Sequence, residues 1–235
     1  MNDASFRIPV GLEEGPDGAT RAHALDLLGC AAEGPSSDAA LNAFTDTLSE
    51  WLRFLQSVGD PVPPPDAELE ITVDEWIRGN AAVAAGESDV CFDADLQRLD
   101  EREINDAVRR LGDLRGRLLK GLRSVPDAEL DTLHSGEWTL RRVLDELARA
   151  QWWTLSRLGA SPLAEVPPRT LARLDTALAL VVQQFTNLPA EQRGNVVELE
   201  GETWTPRKVL RRLLWLEWSL GRAARRALSQ RREHE

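Results

Sequence analysis

Apolar and other residues alternate over positions 6–12, the period of a half-buried strand. Pro9 falls inside that run and lacks an N–H, which points to an edge position or the end of a ladder. Residues 13–18 form a turn cluster. A second strand is expected near residues 20–25 and a short third one before Gly34. The period then lengthens. Leu41, Phe44, Leu48, Trp51, Leu52 and Leu55 recur at three- and four-residue spacing, the core-facing stripe of a helix. Ser36 or Ser37 can cap it, and Asp38 suits the positive end of its dipole. Gly59 and the prolines of 61–65 stop it, and residues 69–73 alternate again as a final strand. Residues 1–80 therefore read as a β-β-β-α-β module. Residues 81–95 carry little periodicity beyond Val90-Cys91-Phe92 and read as a linker.

Residues 96–235 read as an all-α module. Helices are expected near 101–123, 139–158, 170–187 and 205–228, each with an apolar stripe. The stripes are Ile104 to Leu122 in the first, and Val143, Leu144, Leu147, Ala150 or Gln151, and Leu155 in the second. In the third they are Leu171, Leu174, Leu178, Val181, Val182 and Phe185. In the fourth they are Val209, Leu210, Leu213, Leu216 or Leu214, and Leu220. Thr139 and Thr205 stand as caps, with Pro206 at a first helical position. Residues 196–199 suggest a short extended segment between the last two helices. Four such helices indicate a bundle, so the fold class is α+β.

Charge sharpens the division. Residues 1–100 carry 20 acidic and 5 basic side chains, and residues 101–235 carry 19 and 23. The acidic part disfavours nucleic acid and reads first as an aid to solubility, with docking on a basic partner or on the basic half of the same chain as the alternatives. Nine bases fall on the fourth helix and the tail, from Arg207 to Arg232, and read as a solvated face with favourable charge at the helix C-terminus. No apolar run is long enough for a membrane span, and no secretory signal is expected near Met1. Two cysteines, Cys30 and Cys91, make no metal or disulfide pattern and fit a reducing cytoplasm. Cys30 reads as a buried small apolar residue rather than a nucleophile.

Two resemblances refine the modules. Leu12-Glu13-Glu14, Leu25-Asp26-Leu27-Leu28-Gly29-Cys30, the helix opening Ser37-Asp38-Ala39-Ala40-Leu41 and its proline-rich exit resemble the HicB antitoxin family. The chain departs from that family at Leu28, usually proline, and at Gly34-Pro35-Ser36, usually Gly-Asp-Thr. The resemblance implies a partial RNase-H-like fold and a role as partner-binding adaptor, or as the antitoxin of a HicA-like toxin. In the second module, residues 138–147 echo residues 204–213 at an offset of 66, sharing Trp, Thr, Arg, Val, Leu and Leu. These openings resemble the DinB superfamily of four-helix bundles, many of them metal-dependent enzymes or thiol transferases.

The DinB metal is held by three histidines. The resemblance places their counterparts at Glu146, Leu216 and Leu220, and a leucine offers no lone pair. The three histidines of this chain, His23, His134 and His234, form no His-x-x-x-His. The expectation is a bundle without its metal site: no catalytic residue, no metal ligand and no cofactor. Glu146 and Glu217 are expected at the surface or beside an arginine. Trp152 and Trp153 are adjacent on a helix and cannot both face the core, so at least one should border a pocket or interface. Glu146, Trp152, Trp153, Leu216 and Leu220 are the candidate pocket or partner-binding residues. The leading expectation is a non-catalytic binding or regulatory protein for a small molecule or a protein partner, with a homodimer open. The alternative is a divergent thiol or small-molecule transferase.

Overall fold

The computed structural model describes residues 5–84, 86–132, 138–160 and 165–233. It is α+β and divides into two compact units: residues 1–97 with 196–208, and residues 98–195 with 209–235.

The first unit opens with β1 (Phe6–Glu14), β2 (Thr20–Ala24) and β3 (Ala31–Gly34). Helix α1 (Ser37–Ser57) crosses over to β4 (Leu69–Arg78). The sheet order is β3-β2-β1-β4, with β1 and β4 parallel and the other pairs antiparallel. Ser36 is the cap of α1, its hydroxyl accepting from the Ala39 N–H at 3.2 Å. The buried stripe of α1 is Ala40, Phe44, Leu48, Trp51, Phe54 and Leu55, with Leu41 and Leu52 only half-buried. Strand β1 is interior, not an edge, yet Pro9 is tolerated there. Its carbonyl accepts from Leu25 N–H, so its missing N–H faces the β2 side, where the ladder begins only at Val10. The edges are β3 and β4, and β4 is five residues longer than expected, with Val73 and Trp76 exposed.

The expected linker is instead part of this unit. After a short helix α2 (Ala81–Ala84), Ser88, Val90, Phe92 and Asp95 are all buried. Phe92 lies so close to Gly11 that a Cβ there would sit 2.5 Å from its ring. It also meets the His23 ring edge-on, centroids 5.4 Å apart. Segment 88–92 thus supplies side chains that the short sheet cannot bury alone, and two or three such contacts leave no periodic trace.

A hairpin expected only as an extended stretch completes the unit. Strands β5 (Val197–Leu199) and β6 (Glu202–Trp204) pair antiparallel around Glu200-Gly201, φ 56° and 84°. Two central residues at positive φ define a type I′ turn, whose twist suits a two-residue hairpin.

The second unit is helical: α3 (Glu101–Leu122), α4 (Leu140–Ser156), α5 (Thr170–Thr186) and α6 (Pro206–Glu233), whose first turn through Lys208 belongs to the first unit. Asp100 and Glu103 form a capping box on α3, and Thr139 and Thr205 accept from the N–H groups of Arg142 and Lys208. Leu118, Leu144, Leu147, Leu174, Leu216 and Leu228 anchor the core. On α5, Leu171 is exposed and Leu178 and Val182 are half-buried, so its core face is narrower than expected: Leu174, Ala177, Val181 and Phe185. Among the described residues no helix is long and apolar enough to cross a membrane.

Candidate functional site

The five candidate residues separate into three places. Glu146 is half-buried on α4, its carboxylate held by Arg149 one turn on at 2.5 Å. Leu216 lies in the hydrophobic core of the second unit and Leu220 packs against it. Two hydrocarbon side chains and a carboxylate committed to an arginine do not fit a divalent cation, so the metal site implied by the DinB resemblance has no donor set at these positions. Among the described residues no three His, Cys, Asp or Glu side chains converge as metal ligands. His134 and His234 lie outside the described residues.

Trp152 and Trp153 both line a cleft of about 620 Å³ between the C-terminal halves of α4 and α5. Neither is fully buried, as adjacent positions on one helix require. Leu155 on α4, Leu180 on α5 and Leu188 beyond it form apolar walls. The polar lining is neutral: Gln183, Gln184, Asn187 and Gln192, with Ser156. Ser156 Oγ donates to the Trp153 carbonyl at 2.7 Å, and Asn187 Nδ2 to the Gln183 carbonyl at 2.9 Å. Among the described residues the side chains of Gln183, Gln184 and Gln192 have no hydrogen-bond partner. Leu180, Gln183, Gln184 and Asn187 follow i, i+3, i+4, i+7 spacing, a stripe beside the core stripe of α5. That amide stripe was a visible signal that apolar patterning alone passes over. The guanidiniums of Arg157 and Arg212 lie over the Trp153 ring, 4.4 and 5.1 Å from its centroid. The Trp152 indole N–H is buried and has no hydrogen-bond partner among the described residues.

Glu217 does meet an arginine, but inside the bundle. Arg115 on α3 grips it with two bonds of 2.9 Å, from Nε and Nη2. Gln151 on α4 closes the ring: its amide nitrogen donates to Glu217 Oε2 at 2.8 Å, and its oxygen accepts from Arg115 Nη2 at 3.0 Å. Arg115 Nη1 donates to the Leu174 carbonyl of α5 at 2.5 Å. All three side chains are buried, and the ring satisfies both carboxylate oxygens and the amide. Of the alternatives Ala150 or Gln151, it is the polar Gln151 that lies fully inside.

The first unit holds a second buried polar group, invisible in the pattern. Glu13 Oε2 accepts from Ser88 at 2.8 Å and lies 3.2 Å from His23 Nε2, and Asn80 donates to Oε1 at 2.6 Å. Burial alone would raise this carboxyl. The hydrogen bond and charge of His23, the charge of Arg21 and the bond from Ser88 outweigh it and hold the carboxyl at about 2, against 4.5 ordinarily. Arg21 is also tied to the Gly86 and Glu87 carbonyls and to Glu33. These bonds fasten segment 80–89 to the sheet. Cys30, just before β3, is buried, and burial pushes its thiol up, away from nucleophilic use.

The first four bases of α6 do not form a solvated face, whereas Arg226 is exposed. Arg207, Lys208, Arg211 and Arg212 are each at most 6% exposed. Lys208 donates to the Asp89 and Thr203 carbonyls at 2.6 and 2.8 Å and lies 4.1 Å over the Trp204 ring. The echo Trp138-Thr139 repeats this geometry at the surface, where Arg142 lies 4.3 Å over Trp138. In both copies threonine caps the helix and brings the residue four positions after Trp over its ring.

The chain matches no protein-family model, no curated protein and no solved structure.

Proposed function

We propose that this chain is a non-catalytic binding protein that takes a small organic molecule into the cleft between α4 and α5. The observation that supports it is the composition of that cleft. Two indoles and three unengaged amides line about 620 Å³, a volume suited to a drug-sized ligand. Chemistry on such a ligand would need a nucleophile or a group able to move a proton. Among the described lining residues the hydroxyl is that of Ser156, which is committed to a backbone carbonyl, and no base stands beside it. Two of the buried acids, Glu217 and Glu13, are likewise engaged, the first by Arg115 and Gln151, the second by Ser88, Asn80 and His23.

The test is a thermal-shift screen of a small-molecule library on the full chain, repeated on Leu180→Trp, which fills the cleft. Ligands at about 100 times Kd should add about 2.7 kcal/mol to the second unit. They should be recovered chemically unchanged and lose their effect in the filled variant. Absence of any stabilising ligand would remove the proposal, and turnover of a cleft ligand would move the chain to the transferase class.

A further inference from the structure

The lining also limits the kind of ligand, and this step rests on the proposed use of the cleft. No lining residue carries a formal charge. A charged group entering a partly enclosed apolar site loses hydration that only a counter-charge or several hydrogen bonds can replace. The guanidiniums of Arg157 and Arg212 lie over the Trp153 ring rather than in the lining. Side-chain amides, in contrast, both donate and accept, so Gln183, Gln184 and Gln192 can satisfy a carbonyl, an amide or a hydroxyl without any net charge. Trp152 adds ring surface for a flat or aliphatic body, while its N–H is turned out of reach of solvent.

We propose that the cleft selects an uncharged amphiphile, an apolar body carrying carbonyl, amide or hydroxyl groups, and discriminates against anionic relatives of the same shape.

Two fluorescent probes separate charge from shape. N-phenyl-1-naphthylamine is neutral, and 8-anilinonaphthalene-1-sulfonate adds one sulfonate to the same body. Both are titrated into the full chain and into Leu180→Trp and Gln184→Lys, with far-UV circular dichroism confirming each fold. The neutral probe should bind at least ten times more tightly than the sulfonate to the unsubstituted chain. Leu180→Trp should abolish that binding. Gln184→Lys places a cation in the lining on a partly exposed helix position, and should narrow the preference or reverse it. Equal affinity, or tighter sulfonate binding, with both lost in Leu180→Trp would overturn charge selection while leaving a binding cleft. Binding of neither probe, or binding indifferent to Leu180→Trp, would overturn the cleft reading itself.

Discussion

Replacing Glu217 by methionine should be the most damaging single change in the second unit. The carboxylate accepts from Arg115 Nε and Nη2 and from Gln151 Nε2, and its side chain is fully buried. Methionine fills similar space but leaves the guanidinium without its counter-charge. Breaking one side of a buried pair costs about 3–5 kcal/mol, chiefly from the charge left behind. At a few degrees per kcal/mol, the transition of this unit should fall by about 10 °C or more. The ring offers an internal control. Replacing Arg115, Gln151 and Glu217 together by methionine removes every orphaned group at once, because the remaining partner, the Leu174 carbonyl, belongs to a helix. A hydrophobic replacement of a whole buried ion pair is often neutral or stabilising, so the triple variant should recover most of the loss. Calorimetry on the full chain reads both. A loss below about 1 kcal/mol for Glu217→Met, or a triple variant worse than the single one, would refute the reasoning.

Other expectations are simpler. The Glu13 carboxyl is held at about 2, below its ordinary 4.5, so its stabilisation is complete above pH 4.5 and is lost as pH falls toward 2. The shift corresponds to about 3 kcal/mol, and Glu13→Gln should flatten the acid limb of guanidinium midpoints measured between pH 5 and 2; an unchanged limb would exclude Glu13 as its source. Gly11→Ala should cost about 1–3 kcal/mol, since the new methyl meets the Phe92 ring at 2.5 Å, and Phe92→Leu in the same chain should relieve part of it. Trp152→Phe deletes a buried N–H without a partner, an orphan costing about 1–3 kcal/mol, which offsets the lost ring area. Its melting temperature should stay within about 3 °C of the unsubstituted chain, and a large drop would mean that the N–H has a partner.

Much of the fold was legible because helices and strands carry their burial in local periods. The stripes of α1, α3 and α6, the caps Ser36, Thr139 and Thr205 and the succession of strands and helix along the first module all follow from spacing and cap chemistry. The errors share one cause. Segment 81–95 and the hairpin at 197–204 are too short to show a period, and the side chains they bury, Phe92 and Trp204, are single anchors. The first four bases of α6 were misjudged for a related reason. Charge patterning predicts a solvated face, whereas the amphipathic stems of lysine and arginine can be buried wherever carbonyls and rings are positioned to receive the charged end. Of the candidate site, adjacency alone placed Trp152 and Trp153 outside a common core face, and the cleft has both in its lining.

By itself, the sequence determined the α+β class, the helices and where they cap, and the incompatibility of two neighbouring tryptophans with one buried stripe. Those are properties of neighbouring residues, set by backbone geometry and side-chain chemistry. Only the tertiary structure decided that Glu217 meets Arg115 across 102 positions, that Ser88 reaches Glu13 across 75, and that Gln183 and Gln184 line one cleft with Trp152. Such pairings depend on which helices cross and at what register, and each rests on the low local dielectric that makes an unpaired buried polar group costly. No local pattern carries that information.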